Sequence, residues 1–327
     1  MLLDELREYF TLNHLSDETY NETIKILEKL WLEEKTLPNE EISQKELLRR
    51  FIKSSYQKKE TTIDFFLALL RYTSVKKDHD SYIFLTRYTG MIDVLENIFA
   101  RFRSLHSTSE YEALLKDLSI PRLGMDPEDI PGFTKEFMNR LEQHYSEVEV
   151  EQILTGNNHS LSEKSVLPEK LLYEAAPSLE VYLKERHLRK IEELTHHYQE
   201  KKVWFEQWIT QDVIDYVSSN QEILSAKIEN EKLYITKIPY DTDAYLKAKT
   251  DTEKRYHGCH CSFAKESIRG NNAPVSGRWC YCSAGFAKFP FEIILGQKLP
   301  IKVINNCLDG DLICRFEIDL EGISYKK

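Results

Sequence analysis

The chain has 327 residues and a net charge of -10, with 41% hydrophobic and 30% charged residues. These proportions are typical of a soluble globular protein with a substantial core, and the acidic balance excludes a general nucleic-acid binder. The opening run MLLDELREYF lacks the basic region of a secretory leader, and apolar runs such as IDFFLALL are too short to span a bilayer. We therefore expect a cytoplasmic protein without a membrane partner.

Helical periodicity dominates the first 205 residues. Ser43 with Glu46, and Ser107 with Glu110, have the spacing of capping boxes ahead of apolar runs. A long apolar helical face is predicted from about Tyr82 to Leu105. The leucine and aromatic stripes of this part are interpreted as core packing.

Turn-forming residues divide the helical part. Five Pro and Gly residues fall between positions 121 and 132, which predicts an ordered loop or a joint between subdomains. Helices are expected to resume at Thr134, to pause at the loop TGNNHS from Thr155, and to be interrupted near Pro177. We therefore predict a helical domain over residues 1–120 and a helical linker or subdomain over residues 121–205.

Strand signals appear after residue 205. The run EILSAKIE, a turn at Asn230, and KLYITKIP predict one hairpin. A second hairpin is predicted from IKVINNC and LICRFEIDL, which flank the turn dipeptide Asp309-Gly310. Two short helices are expected between them, near residues 263–268 and 284–295. Residues 206–327 are thus predicted to form an α+β domain, with an antiparallel sheet and helices on one side.

All six cysteines fall in the final 69 residues, in three pairs. They are Cys259 and Cys261, Cys280 and Cys282, and Cys307 and Cys314. In extended backbone a Cys-X-Cys pair points both thiols to one side, and a four-residue turn would place Cys307 opposite Cys314. In a reducing compartment such thiols serve as metal ligands more often than as disulfides, and thiolates select zinc, copper(I) or an iron–sulfur cluster. We expect three or four of the six to bind a metal, with zinc ahead of an iron–sulfur cluster, and His257 and His260 as nearby nitrogen donors.

Two other interpretations of the cysteines stay open. Cys282 precedes a predicted helix, where the helix dipole would lower its pKa and make it a candidate nucleophile, with His257 or His260 as its base. Alternatively, the cysteines are small apolar residues of the core that bind no metal.

The C-terminal residues resemble a known family. The run CSAGFAKFPFEIILGQKLPIKVINNCLDGDLICRFEI is similar to the signature of 4-vinyl reductase-type ligand-binding domains and of L-2-amino-thiazoline-4-carboxylic acid hydrolase-like proteins. Gly285-Phe286 matches the start of the family's helix, and Gly310-Asp311 matches its turn. The signature covers about 40 residues, and a looser likeness to an uncharacterised bacterial group covers about 200.

The resemblance implies a zinc site near an apolar ligand pocket. In zinc-containing members the metal is held by a Cys before the helix, which corresponds to Cys280 or Cys282, by Cys307 and Cys314, and by a Glu whose place is taken here by Ile304. Cys259 or Cys261 would then supply the fourth ligand. The pocket would be lined by aromatic side chains and would take a small apolar ligand. Its candidate residues are Tyr256, Phe263, Trp279, Tyr281, Phe286, Phe289 and Phe291.

Three functions follow from these patterns. The first is a small-molecule-binding or sensing module with a cysteine-ligated structural metal. Residues 251–327 hold 11 basic and 9 acidic residues, so they carry +2 and the rest of the chain -12, which also favours an anionic ligand there. The second is a hydrolase of a cyclic amide- or thiazoline-like compound that uses a Cys or a metal-bound water. The third is a helical interaction protein without a metal. The sequence has no phosphate-binding glycine loop, dinucleotide fingerprint or His-Glu-X-X-His helix.

Overall fold

The computed structural model describes residues 2–36, 42–270 and 274–327. It is an α+β structure whose described strands form one antiparallel sheet near the C-terminus. Within these ranges no helix has both the length and the apolarity needed to cross a bilayer.

The described residues group into two compact units. Unit 1 comprises Met1–Ile92 and Ile120–Ile130, and unit 2 comprises Asp93–Ser119 and Pro131–Lys327. The chain changes unit after Ile92, after Ser119 and after Ile130, and the division at residues 120 and 205 stays a prediction. The Pro- and Gly-rich segment is a return of the chain to unit 1, where Leu123 O accepts a hydrogen bond from Thr61 Oγ1 at 2.6 Å.

Unit 1 is built from five helices in the described ranges: α1 (Leu2–Leu12), α2 (Asp17–Thr36), α3 (Gln44–Gln57), α4 (Ile63–Val75) and α5 (His79–Thr89). Their apolar faces form a core of leucine and aromatic side chains, as the sequence predicts. Phe66, which is fully buried, stacks on Tyr88 and meets Phe65 edge to face.

The first helices of unit 2 are α6 (Val94–Leu105), α7 (Thr108–Leu115), α8 (Ile130–His144), α9 (Glu147–Leu154), α10 (Glu163–Ala175), α11 (Leu179–Gln199), α12 (Gln211–Ser218) and a short turn α13 (Glu222–Ser225). The single helical stretch predicted from Tyr82 to Leu105 is wrong. It is divided into α5 and α6, because Asp93 adopts a left-handed conformation with φ 63°. The break near Pro177 is confirmed between α10 and α11.

The capping predictions have different outcomes. Ser107 and Glu110 form a complete capping box at the start of α7. Ser43 does cap α3 by accepting from Glu46 N, but the carboxylate of Glu46 binds Arg50 instead of completing the box.

The sheet has the order β1-β2-β4-β3, with β1 (Lys227–Glu229), β2 (Lys232–Thr236), β3 (Ile301–Asn305) and β4 (Arg315–Asp319). The predicted turn at Asn230 is confirmed, since Asn230 and Glu231 both have positive φ and Glu229 pairs with Lys232. Side chains of β2 and β4 share a core with α10, α11 and α16 (Tyr281–Leu295).

The segment between the hairpins holds more helix than the sequence indicates. Besides α16 and the expected turn of 3-10 helix at Lys265–Ile268, it contains α14 (Thr242–Lys247), α15 (Asp251–Gly258) and a 3-10 turn at Gly277–Cys280. The capping box of Thr250 and Glu253 was an overlooked signal for α15.

Candidate cysteine site

Four cysteines from three segments meet in the core of unit 2. Cys259 follows the end of α15, Cys280 immediately precedes α16, and Cys307 and Cys314 lie in the loop between β3 and β4. All four are buried, and the six cysteines are all reduced.

Cys314 is the centre of this four-cysteine cluster. Its sulfur lies 3.7 Å from the sulfur of Cys307 and is also in hydrogen-bond contact with Cys280. Cys259 interacts electrostatically with both Cys307 and Cys314. The two cysteines predicted from the hairpin, Cys307 and Cys314, thus lie next to each other, with Cys280 and Cys259 as their neighbours.

The connection that carries Cys307 and Cys314 is longer than predicted. The ladder pairs Asn305 with Arg315, so both cysteines lie in a loop over residues 306–314 and do not face each other across paired strands. The prediction of a four-residue turn is wrong because Asn306 and Asp311 build a different loop. Asn306 Oδ1 accepts from the amides of Leu308 and Asp309, and Asp311 Oδ2 accepts from Asn306 N.

Cys259 and Cys280 are the members of the two Cys-X-Cys pairs that interact with Cys314, and Cys261 interacts in turn with Cys259 and Cys280. Cys280 has helical backbone angles and Cys282 lies two residues on in α16, where residues two apart point to different sides of the helix. The prediction that both thiols of this pair share one side is therefore wrong. Cys261 accepts a hydrogen bond from Trp279 Nε1 at 3.1 Å and lies electrostatically close to both Cys259 and Cys282.

Two glycines let the three segments approach. A Cβ on Gly258 would lie 2.9 Å from Leu312 O and 3.2 Å from the sulfur of Cys307. A Cβ on Gly277 would overlap the carboxylate of Asp309 in the same loop. Neither glycine has a positive φ, so both are explained by close packing rather than by backbone conformation.

The electrostatics of the cluster favour one anionic sulfur. Hydrogen-bond contacts of Cys314 with Cys280 and Cys307 hold the pKa of Cys314 well below its usual range and raise the pKa of the other two thiols. Burial raises the pKa of Cys259 to about 11.

Cationic side chains surround the same four sulfurs. Lys237 and Lys265 act against the rise in the pKa of Cys259, and Lys237 also lowers the pKa of Cys314. Arg255 lowers the pKa of Cys307, and its guanidinium donates to the carbonyls of Cys307 and Leu308 at 2.8 and 3.1 Å. The surroundings of the cluster therefore stabilise negative charge on sulfur.

The two histidines have other partners. His260 Nδ1 lies 2.9 Å from Glu206 Oε1 and His260 Nε2 lies 2.6 Å from Ile238 O, so both ring nitrogens are engaged. His257 Nε2 is 3.2 Å from Arg269 Nη2. Among the described residues, no group of three or more His, Cys, Asp or Glu side chains already has the arrangement of a metal site.

Cys282 occupies a separate environment at the start of α16. Burial raises its pKa, and this outweighs a hydrogen bond from Asn158 and the charges of Lys237 and Arg101, which act in the opposite direction. The sequence predicts the helix position correctly, but the thiolate expected from the helix dipole is opposed by desolvation.

The aromatic residues of the predicted pocket do not converge. Phe263 and Trp279 are buried and pack on each other with ring centroids 5.5 Å apart. Tyr256 donates to Glu266, with Arg269 and Lys265 against its ring. Phe286 is 36% exposed on α16, away from that group. Of the other candidates, Phe289 and Phe291 are buried in the sheet–helix core and Tyr281 packs against it.

Comparison of the chain with protein-family models, with curated proteins and with solved structures gives no match. The resemblance to the 4-vinyl reductase group therefore stays a prediction from the sequence.

Proposed function

We propose that the chain is a small-molecule-binding or sensing module whose unit 2 is held together by a zinc ion bound to Cys259, Cys280, Cys307 and Cys314. The observation that carries the proposal is the meeting of four buried thiols from three segments. Cysteines that merely fill a core have no need to collect around one sulfur.

The sulfur spacing suits a tetrahedral thiolate site. Zinc–sulfur bonds of about 2.3 Å place two sulfurs of a tetrahedron roughly 3.8 Å apart. The sulfurs of Cys307 and Cys314 are 3.7 Å apart. Their present contacts are those of protonated thiols, and metal binding would replace the S–H hydrogen bonds by metal–sulfur bonds with release of protons.

The charge distribution supports the same proposal. Zinc with four thiolates carries a formal charge of about -2, which is costly to bury without nearby cations. Lys265 and Arg255 supply positive charge beside Cys259 and Cys307. Four neutral thiols would not require nearby cations.

The arrangement favours binding over hydrolysis. Four thiolate ligands fill a tetrahedral zinc, and a catalytic zinc needs an open position for water. The other thiol proposed as a nucleophile, Cys282, is buried with a raised pKa, which disfavours the reactive thiolate.

Metal analysis of the purified full-length chain tests the proposal. We expect about one zinc per chain, and we expect only Cys261 and Cys282 of the six thiols to remain outside the metal site. Less than a tenth of a zinc per chain after expression in zinc-supplemented medium, together with six titratable thiols in the folded protein, would overturn the metal site.

Two neighbouring cysteines offer a matched pair of variants. Cys280→Ser should abolish stoichiometric zinc and destabilise unit 2, because it removes a ligand. Cys282→Ser should retain the zinc, since Cys282 faces Asn158 instead. Equal zinc content in the two variants would contradict the ligand assignment.

A further inference from the structure

The exposed ring of Phe286 lies between two basic side chains. His159 meets the ring edge to face with centroids 5.3 Å apart, and the ammonium group of Lys237 is 5.6 Å from the ring centre. Phe286 is on α16, Lys237 directly follows β2, and His159 is in the TGNNHS loop. Three segments distant in sequence thus meet at one aromatic surface.

Among the described residues the ammonium group of Lys237 has no hydrogen-bond partner, although the charges of Glu206 and Cys314 act on it from nearby. It is partly buried, and within the described ranges no carboxylate, hydroxyl or carbonyl oxygen contacts its ammonium group. Its position is nonetheless fixed, since its backbone N–H donates to Cys314 O at 3.0 Å. An ammonium that is partly desolvated and lacks a hydrogen bond is unfavourable, and an anionic ligand would remove that cost.

His159 also has unused hydrogen-bonding capacity. Neither of its ring nitrogens has a partner in the part of the chain that the structure describes. Burial, reinforced by the charge of Lys237, lowers the pKa of His159 to about 4, so the ring is neutral at pH 7. It therefore offers a hydrogen bond without adding a second positive charge.

The loop that carries His159 is rigidly held. Arg101 donates from Nη1 to Ile153 O at 2.6 Å and from Nη2 to Asn158 Oδ1 at 2.9 Å. Asn97 Nδ2 donates to Asn158 O at 3.0 Å. The loop also lies directly on α16, where a Cβ on Gly285 would overlap the backbone of Gly156. His159 is thus positioned before any ligand arrives, which reduces the entropy cost of binding.

Glu206 and His260 also interact electrostatically with Lys237, and they form a pair of their own. Glu206 follows Phe205, which adopts a positive φ of 50° in a tight turn between Trp204 and Gln207. The turn directs the carboxylate to His260 Nδ1 at 2.9 Å. Because this carboxylate is already hydrogen-bonded, the ammonium group of Lys237 still has capacity for an external acceptor.

We propose that Phe286, Lys237 and His159 form the binding site for a small aromatic monocarboxylate, whose ring stacks on Phe286 and whose carboxylate is bound by Lys237, with a hydrogen bond from His159. A single cation and one exposed ring match a singly charged planar acid. A phosphate ester or polyanion would leave negative charge uncompensated. This proposal rests on the small-molecule-binding function proposed above and identifies the class of ligand.

Binding measurements on the zinc-loaded full-length chain test the site. We would titrate benzoate, phenylacetate and 2-naphthoate by calorimetry and ligand-observed NMR, with 2-naphthamide and acetate as probes that lack the charge or the ring. We expect saturable binding of at least one aromatic acid and none of acetate or the amide. Absence of binding by all three acids would overturn the proposal.

Variants assign the roles of the residues. Lys237→Met should weaken binding of the acid roughly 10- to 100-fold, the usual effect of removing a charged hydrogen-bond partner. Lys302→Met, at an exposed position of β3, is the matched control and should bind as the unaltered protein does. Phe286→Leu should weaken binding roughly 3- to 10-fold through the loss of stacking. Lys237→Arg should recover part of the affinity lost in Lys237→Met.

Metal content separates this proposal from the preceding one. Each variant would be checked for zinc and for its thermal unfolding. If Lys237→Met loses zinc as well as acid binding, the lysine compensates the charge of the thiolate cluster and the ligand assignment is overturned. If the protein binds aromatic acids but holds no metal, the ligand site stands and the metal site fails.

Discussion

The cores of the two units are built from different chemistry. Unit 1 buries leucine and aromatic side chains packed between helices and has no cysteine. The sheet of unit 2 packs against helices too, but with that core lie four thiols, three cations and the half-buried Glu206–His260 pair. Hydrophobic burial explains the first core. The second buries polar groups at a cost that their partners must offset, which indicates a function beyond folding.

Removal of the metal should give the largest difference in stability between the two units, because only unit 2 contains the proposed site. If zinc holds unit 2, a strong chelator removes a contribution on the order of 10 kcal/mol, as in other structural zinc sites. Amide hydrogen exchange should then accelerate in β4 and α16 while α3 and α4 keep their protection. Uniform protection before and after chelation would show that the cysteines are ordinary core residues.

A cavity in unit 1 should have the next largest effect. Phe66→Ala removes a fully buried ring between Phe65 and Tyr88 and should lower the free energy of unfolding by about 3–5 kcal/mol. The zinc content should be unchanged. Leu32→Ala, at a position 62% exposed on α2, is the control and should change the free energy by less than about 0.5 kcal/mol.

A methyl group at Gly258 should disturb unit 2 without replacing any cysteine. In Gly258→Ala the added Cβ meets Leu312 O and the sulfur of Cys307, and overpacking of this kind costs about 1–3 kcal/mol. Zinc affinity should fall in parallel. Gly132→Ala in α8 meets no atom within 4 Å and should be neutral or stabilising. Equal unfolding curves for the two variants would contradict the close approach of α15 to the cysteine loop.

Acid should weaken unit 2 through His159. Its pKa is about 4 in the folded chain, chiefly because of burial and then Lys237, and about 6.5 when unfolded. The unfolded state therefore binds the extra proton between pH 6.5 and 4, so stability is complete above pH 6.5 and is lost as the pH falls toward 4. The loss is on the order of 2 kcal/mol. It is measured as the difference in pH dependence between the unaltered protein and His159→Gln, and identical profiles would refute the burial of a neutral ring.

Local signals in the sequence predict most of the elements. The turn at Asn230 and the capping box of Ser107 depend on residues a few positions apart, and both are confirmed. The apolar helical faces also indicate the core of unit 1, because helical period and burial are linked within one segment. Asp93 shows the limit of such predictions. The apolar helical pattern continues on both sides of this residue, but its left-handed backbone divides the predicted helix into two.

The sequence did not show which cysteines lie close together or which side chains surround Phe286. Both were established by the tertiary structure. The clustering of all six cysteines near the C-terminus was enough to locate a site, and the resemblance drew attention to Cys307 and Cys314. Cys280 and Cys282 lie in different surroundings because they are two residues apart on helical backbone, and Cys259 is placed where α15 ends. Lys237, His159 and Arg101 carry no motif, and they meet because a loop and a strand end pack on α16.

Sequence by itself therefore determined the class of fold, the position of most helices and both hairpins, and the part of the chain in which the cysteines are concentrated. Only the tertiary structure decided which thiols lie close to one another, which histidines have other partners, and which ammonium group has no hydrogen-bond partner among the described residues. The physical reason is the difference in the sequence separation over which the two kinds of interaction act. Helix caps, turns and periodic faces act over a few residues, whereas a site is assembled from segments a hundred residues apart, and its geometry is set by how their surfaces pack.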